Sequence, residues 1–147
     1  MEFTDLTAGF DGTLYVSAVQ GNNSDILRFD IPSKSLHFLL GSKHNERDPF
    51  FWKGRLYFSS DADGSYAIYS LKGKTISRHT PAGGQSGFAP FTDGAVLRYS
   101  VYTPHGFLLR SQPLDSGEAS AELGQPSNSP LQPPPPANPY FFGYDRT

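Results

Sequence analysis

The chain has 147 residues, a net charge of −2, 18% charged residues and no cysteine. Without a basic excess, nucleic acid and anionic membrane surfaces are disfavoured as main partners, and without cysteine a disulfide framework and a thiolate metal site are excluded. Twelve Phe, eight Tyr and one Trp lie in short runs separated by 15 Gly and 13 Pro. This pattern indicates an all-β protein.

Neither a targeting segment nor a membrane span is expected in this sequence. Met1-Glu2-Phe3-Thr4-Asp5 has no basic start and no apolar core, so it does not have the pattern of a signal peptide. No apolar run approaches the roughly 20 residues that a transmembrane helix needs. We therefore expect no membrane insertion of this segment.

Three segments in chain order share one pattern, which indicates an internal repeat. They are Phe10-Asp11-Gly12-Thr13-Leu14-Tyr15-Val16-Ser17, Trp52-Lys53-Gly54-Arg55-Leu56-Tyr57-Phe58-Ser59 and Thr92-Asp93-Gly94-Ala95-Val96-Leu97-Arg98-Tyr99. Their glycines lie 42 and 40 residues apart. Fourteen residues after each glycine a second apolar strand begins, at Ile26, Ile68 and Leu108.

Each unit is predicted to form an antiparallel meander of four short strands. The predicted strands are 5–9, 13–20, 25–31 and 36–40 in the first unit, 49–52, 55–60, 67–72 and 75–80 in the second, and 88–91, 95–103, 106–112 and 118–123 in the third. Asp-Gly and Lys-Gly pairs supply the tight turns. No segment has the apolar spacing of a helix, so essentially no helix is expected. A meander that recurs about every 40 residues is typical of a propeller blade.

The second unit points to a family. It reads Asp48-Pro49-Phe50-Phe51-Trp52-Lys53-Gly54-Arg55-Leu56-Tyr57-Phe58-Ser59-Ser60-Asp61-Ala62-Asp63-Gly64 and continues to Ile68-Tyr69. This resembles the WD40-like (PD40) repeat of TolB-like β-propellers, roughly P-x-W-S-P-D-G-K-x-I-x-F-x-S-D-x-D-G. The resemblance covers about residues 5–123 and implies three blades, 5–40, 48–80 and 88–123. It also implies a location in the periplasm or cell envelope; without it, the cytoplasm is expected.

Three blades form an arc rather than a ring, which would leave an aromatic-rich face open at each end. Two arrangements remain open at this point. The chain is a fragment of a longer propeller, or two copies close a six-bladed ring about a twofold axis. The expected fold class is therefore all-β, with propeller blades in a partial ring or in half of a dimeric propeller.

The tail, residues 124–147, differs from the rest and is predicted to be a Pro-rich linker followed by an aromatic segment. Residues 126–136 are rich in Pro and favour an extended polyproline II spacer. Residues 140–144 hold four aromatic side chains. They pack back on the blades, dock a partner or begin a following domain, and the last of these is the favoured interpretation.

No catalytic residue, cofactor or metal ligand is predicted. Asp61-Ala62-Asp63-Gly64-Ser65 starts like a calcium loop, but Lys72 occupies the position where such a loop needs Glu. A hairpin turn is the preferred interpretation, and metal binding by Asp61 and Asp63 stays open. Gly83-Gly84-Gln85-Ser86-Gly87 lacks the Lys of a phosphate loop and is interpreted as the crossing between blades.

The leading functional hypothesis is a non-enzymatic scaffold that binds a protein or peptide partner through loops at one end of the blades, as the TolB-like resemblance implies. The loops are residues 41–48 and 81–88. Candidate partner-binding residues are His44, Arg47, Asp48, Gln85 and Phe88. The alternatives are a propeller of a carbohydrate-processing or peptidase-associated enzyme, and a self-assembling, lectin-like unit of three blades.

Overall fold

The computed structural model describes residues 1–40, 42–81, 85–115 and 117–119, and every regular element within them is a β-strand. The predicted linker and tail, 124–147, lie outside the described residues, as do Gly83, Gly84 and residues 120–123 of the last predicted strand. No helix long and apolar enough to cross a membrane occurs in the described part. The predicted all-β fold of blade-like antiparallel sheets is confirmed.

The first sheet is a four-stranded meander formed by the first sequence unit. Its strands are β1 (Glu2–Ala8), β2 (Thr13–Gln20), β3 (Asn23–Asp30) and β4 (Ser35–Phe38), and they lie side by side in chain order. All neighbours are antiparallel. A one-residue irregularity between Phe3 and Asp5 shifts the register of β1 against β2.

The second sheet contains the second sequence unit as another meander. Its strands are β5 (Glu46–Trp52), β6 (Arg55–Ser60), β7 (Ala67–Lys72) and β8 (Thr75–Arg78). The β5–β6 turn is tight because Lys53 and Gly54 both have positive φ, 43° and 83°. Such a turn matches the twist of the two strands, and glycine adopts it without strain, as the Lys-Gly pair predicted.

The third sheet has three strands, β9 (Gly87–Thr92), β10 (Val96–Thr103) and β11 (Gly106–Pro113). A fourth strand of the third unit is predicted at 118–123, of which residues 118 and 119 belong to the described part. The two described residues of that segment, β12 (Glu118–Ala119), instead pair antiparallel with β8 of the second sheet. The chain thus returns to the preceding sheet, and β11 has β10 as its paired neighbour.

The three sheets pack face to face in sequence order, with the second sheet in the middle. We call the face of a sheet that points to the next sheet its forward face, and the opposite face its backward face. The backward face of the second sheet packs on the first sheet through Leu56, Phe58, Tyr69, Leu71 and Ile76, all at most 7% exposed. Its forward face packs on the third sheet, where Tyr57 and Ile68 meet Leu97. Alternate residues of β6 therefore lie in different hydrophobic cores, because side chains of a strand alternate between faces.

Candidate partner-binding site

Both connections between sheets adjoin the hairpin 61–66, and we call this end of the sheets the loop end. Asn45, before β5, hydrogen-bonds Asp61, and Gly87, at the start of β9, hydrogen-bonds Tyr66. Arg47 lies there near the start of β5. Its guanidinium carbon is 5.9 Å from the ring centroid of Tyr66 and 5.7 Å from that of Phe88. The two rings are 4.9 Å apart. These distances are those of cation–π contacts and of an aromatic pair. We call Arg47, Tyr66 and Phe88 the loop-end cluster.

Asp48 supports this cluster and joins the second sheet to the third. One carboxylate oxygen accepts a hydrogen bond from the backbone N–H of Ala89 at 3.0 Å and from the hydroxyl of Ser59 at 3.4 Å. The other oxygen lies 3.5 Å from Nε of Arg47. Because Ala89 directly follows Phe88, the carboxylate of Asp48 fixes the backbone that carries this ring.

An aromatic row continues from the cluster onto the third sheet. The ring of Phe88 is 6.1 Å from that of Phe107, and Phe107 is 5.2 Å from Tyr102. Phe107 is 64% exposed and Tyr102 is 60% exposed, while the side chain of Arg47 is 49% exposed. Aromatic and Arg side chains with this accessibility are the residue types enriched at protein interfaces.

The structure brings together three of the five residues predicted for partner binding, namely Arg47, Asp48 and Phe88. Gln85 precedes β9, and its side-chain oxygen accepts a hydrogen bond from Arg110 of β11 at 3.1 Å. His44 lies before β5, and its backbone N–H donates to the hydroxyl of Ser42 at 3.0 Å. A role for any of the five in partner binding remains a prediction.

Tyr66 is a cluster residue that the sequence analysis did not select. It directly precedes β7 in the hairpin that follows Asp61 and Asp63. The sequence signal for it was weak, because an aromatic residue beside an apolar strand is as readily explained by core packing. Tyr66 can be identified only from the tertiary structure, because its hairpin contacts the beginning of β9. There the backbone carbonyl of Tyr66 accepts a hydrogen bond from the N–H of Gly87 at 2.8 Å.

The contacts of Asp61 and Asp63 agree with a structural role in the hairpin turn. Both carboxylate oxygens of Asp61 accept hydrogen bonds from Asn45, through its backbone N–H and its side-chain amide, at 2.8 Å each. Asp63 accepts a hydrogen bond from the hydroxyl of Tyr69 and lies 3.4 Å from the guanidinium of Arg78. The described ranges contain no group of three or more His, Asp or Glu side chains placed to hold a metal ion.

A buried carboxyl lies beneath the loop end. Glu46, fully buried at the start of β5, accepts a hydrogen bond at Oε1 from the hydroxyl of Ser42, while its Oε2 has no hydrogen-bond partner. Burial, with a smaller contribution from the carboxylates of Asp25 and Asp61, raises the pKa of Glu46 to about 8. The side chain is therefore predominantly protonated at neutral pH.

A cavity between the first and second sheets lies at the opposite, turn end. Its volume is about 220 Å³, and Tyr15, Arg28, Phe51 and Lys74 contribute to its lining. Sites for drug-sized ligands usually have volumes of about 300–1,000 Å³. The loop-end cluster, rather than this cavity, is the better candidate for a functional site.

Comparison with known proteins finds neither a matching protein-family model nor a matching curated protein. A relationship to TolB-like propellers therefore remains a prediction from the residues of the second unit.

Proposed function

We propose that this chain is a non-enzymatic, β-propeller-like scaffold that binds a protein or peptide partner at its loop end. The observation that carries the proposal is the loop-end cluster, in which an exposed Arg side chain lies over two aromatic rings. Tyr and Arg are over-represented among residues that dominate binding energy at interfaces. As part of the same proposal, the resemblance of the second unit to TolB-like repeats favours a location in the periplasm or cell envelope.

The structural roles of three carboxylates favour a binding role over a catalytic one. Asp48, Asp61 and Asp93 accept hydrogen bonds from backbone N–H groups, so each has a structural function. Rigid sheets that hold exposed side chains at one end suit recognition, because little conformational entropy is lost on binding. A peptide or protein segment suits the loop-end cluster better than a small molecule, since the half-exposed side chain of Arg47 lies over the two rings at the surface.

The experiment is selection of binders from a displayed peptide library on the full 147-residue chain, followed by affinity measurement on the loop-end variants Arg47→Ala and Tyr66→Ala. We expect selected peptides to lose about tenfold or more in affinity with either variant, because truncation of a hot-spot residue costs more than about 1.4 kcal/mol. Arg47 is half exposed, so the fold is expected to tolerate its replacement.

Lys53→Ala is the matched control. Lys53 makes a similar cation–π contact, 5.3 Å from the ring centroid of Trp52, at the turn end of the same sheet. Peptides that bind at the loop end should retain their affinity for this variant. The proposal is wrong if the library yields no binder above background, or if the loop-end variants bind as well as Lys53→Ala does.

A further inference from the structure

The two end faces of the three-sheet stack are open. Large hydrophobic side chains that are exposed on faces of the described sheets lie on the first and third sheets. On the backward face of the first sheet these are Phe3 and Leu6, and on the forward face of the third sheet they are Phe91, Tyr102, Phe107 and Leu109, at 39–64% exposure. Open apolar faces of this extent usually mark interaction surfaces.

The forward face of the third sheet has the same pairing pattern as the two forward faces that are covered. In each sheet a serine of the second strand lies opposite an aliphatic residue of the third: Ser17 with Ile26, Ser59 with Ile68, and Ser100 with Leu109. Ser17, Ile26, Ser59 and Ile68 are at most 1% exposed, because the next sheet covers them. Leu109, at the equivalent position, is 64% exposed.

Each of these serines also anchors the first strand of its own sheet. Ser17 shares a hydrogen bond with the hydroxyl of Thr4, Ser59 donates to the carboxylate of Asp48, and Ser100 donates to the backbone oxygen of Phe88. The equivalence of the three forward faces is therefore supported both by cross-strand pairing and by polar contacts. The third sheet is built to be covered in the way the other two are.

The backward face of the first sheet resembles the backward face of the second sheet, which covers the forward face of the first. The residues of the second sheet that cover Ile26, namely Leu56, Phe58, Tyr69, Leu71 and Ile76, are buried. Strand pairing places Leu14, Val16, Leu27, Phe29 and Leu36 at the equivalent positions of the first sheet. Of these, all but Leu27 remain only half-buried. The first sheet thus presents the apolar surface that the forward face of the third sheet lacks.

We propose that a second copy of this chain covers both open faces, the first sheet of each copy packing on the third sheet of the other. Head-to-tail packing of this kind closes into a ring only if the sheets complete the circle. Propellers have about four to eight sheets, and among multiples of three only six lies in that range. With three sheets from each copy, one further copy completes such a ring, and the assembly is a dimer of six sheets with twofold symmetry.

The buried area is sufficient for a stable dimer. At standard strand spacing and rise, three strands of seven residues cover about 14 by 23 Å, or roughly 330 Å² per face. Two junctions with two faces each then bury roughly 1,300 Å², which lies within the range of specific interfaces. This inference goes beyond the proposed function and does not depend on it, because partner binding is tested at Arg47 and Tyr66 of the second sheet. The junctions lie on the first and third sheets and include Tyr102 and Phe107 of the aromatic row.

The experiment measures mass in solution for the full chain and for two variants at exposed positions, Leu6→Asp on the first sheet and Leu109→Lys on the third. We expect a dimer for the wild type and a monomer for each variant alone, since each homodimer would carry the charge at both junctions. An equimolar mixture of the two variants is expected to recover the dimer. In that heterodimer one junction is unaltered, and the other places Asp opposite the sheet that carries Lys.

Ile31→Asp is the matched control. Ile31 is 47% exposed in the turn after β3, on neither open face, and this variant should remain dimeric. Circular dichroism checks that each variant keeps its sheets, and Leu6→Ser and Leu109→Ser replace any variant that does not. A monomeric wild type overturns the proposal. A dimer that Leu109→Lys leaves intact also overturns it, because the contact would then join two first sheets.

Discussion

Among the single residues, Glu46 has the most direct consequence for stability. Its pKa is raised from 4.5 to about 8 by burial, so the folded chain keeps a proton that the unfolded chain releases above pH 4.5. Below pH 4.5 Glu46 is protonated in both states, so it does not lower the free energy of unfolding. Between pH 4.5 and 8 the unfolded state is increasingly favoured, and above pH 8 the penalty levels off because the folded state ionises as well.

We therefore expect Glu46→Gln to stabilise the protein at pH 8 and to have little effect at pH 4. The amide keeps an acceptor for the hydroxyl of Ser42 and removes the ionisable group. The full gain is on the order of 5 kcal/mol for a pKa difference of this size. Urea unfolding across this pH range measures it, with Glu2→Gln on exposed β1 as the control. Parallel pH profiles of Glu46→Gln and wild type would contradict the expectation.

At the scale of elements, the turn glycines and the apolar runs were enough to predict the three sheets. Asp11-Gly12 and Lys53-Gly54 form tight turns with positive φ at both residues, whereas at Lys72-Gly73 only the glycine has a positive φ. The strands between them follow the predicted limits within a few residues. Local turn chemistry and alternation determine these features, so they can be inferred without tertiary information.

The orientation of the third unit could not be predicted from the glycine spacing. In the second sheet the last paired residues before the turn are Trp52 and Arg55, whereas in the third they are Thr92 and Leu97. The wider turn is held by Asp93, which accepts the N–H of Ala95. Strand β10 is thereby shifted by one residue in comparison with β6 of the second sheet. Such a shift moves every side chain to the other face of the sheet. Leu109, and not Leu108, therefore takes the position that Ile26 and Ile68 hold.

The pairing of β12 with β8 and the loop-end cluster also needed the structure. Glu118 lies opposite Arg78 and Ala119 opposite Ser77, at a separation of about 40 residues that no local pattern specifies. Arg47, Tyr66 and Phe88 come from three separate segments in the same way. Sequence located two of these three residues because they lie where a connection enters a sheet, at the starts of β5 and β9. It missed the one that lies in a hairpin.

Strand β11 is expected to be the least protected of the long strands. Its side chains from Phe107 to Ser111 are all exposed, and it is hydrogen-bonded to one neighbour, β10. Native-state hydrogen exchange should show faster exchange in β11 than in β7, whose residues Ala67 to Leu71 are all buried. The measurement is made at concentrations where the chain is monomeric, or on Leu6→Asp. Equal protection of the two strands would contradict this expectation.

At the scale of the whole molecule, the second sheet couples the two hydrophobic cores. Phe58 lies in the core with the first sheet, whereas Trp52 packs at the core with the third sheet. Both belong to the same sheet, and their strands β5 and β6 are paired. Loss of one core therefore removes support from the other, and we expect the described sheets to unfold as one cooperative unit.

Phe58→Ala tests this coupling. Removal of a fully buried Phe is expected to cost about 3–5 kcal/mol. Trp52 is the one Trp of the sequence, so its fluorescence reports on the distant core. The urea midpoint from fluorescence should fall together with that from circular dichroism, while Leu109→Ala, at an exposed site, should shift neither greatly in the monomer. A fluorescence transition that stays at the wild-type midpoint would show that the cores unfold separately.

The return of the chain to β8 makes the third sheet an insertion within the second. Because β8 and β12 are adjacent strands of one sheet, everything between them forms an excursion whose two ends are held side by side. The length and surface of such a segment can change while the strands that flank it keep their partners. Changes on the exposed forward face of the third sheet therefore leave the strand pairing of the central sheet intact.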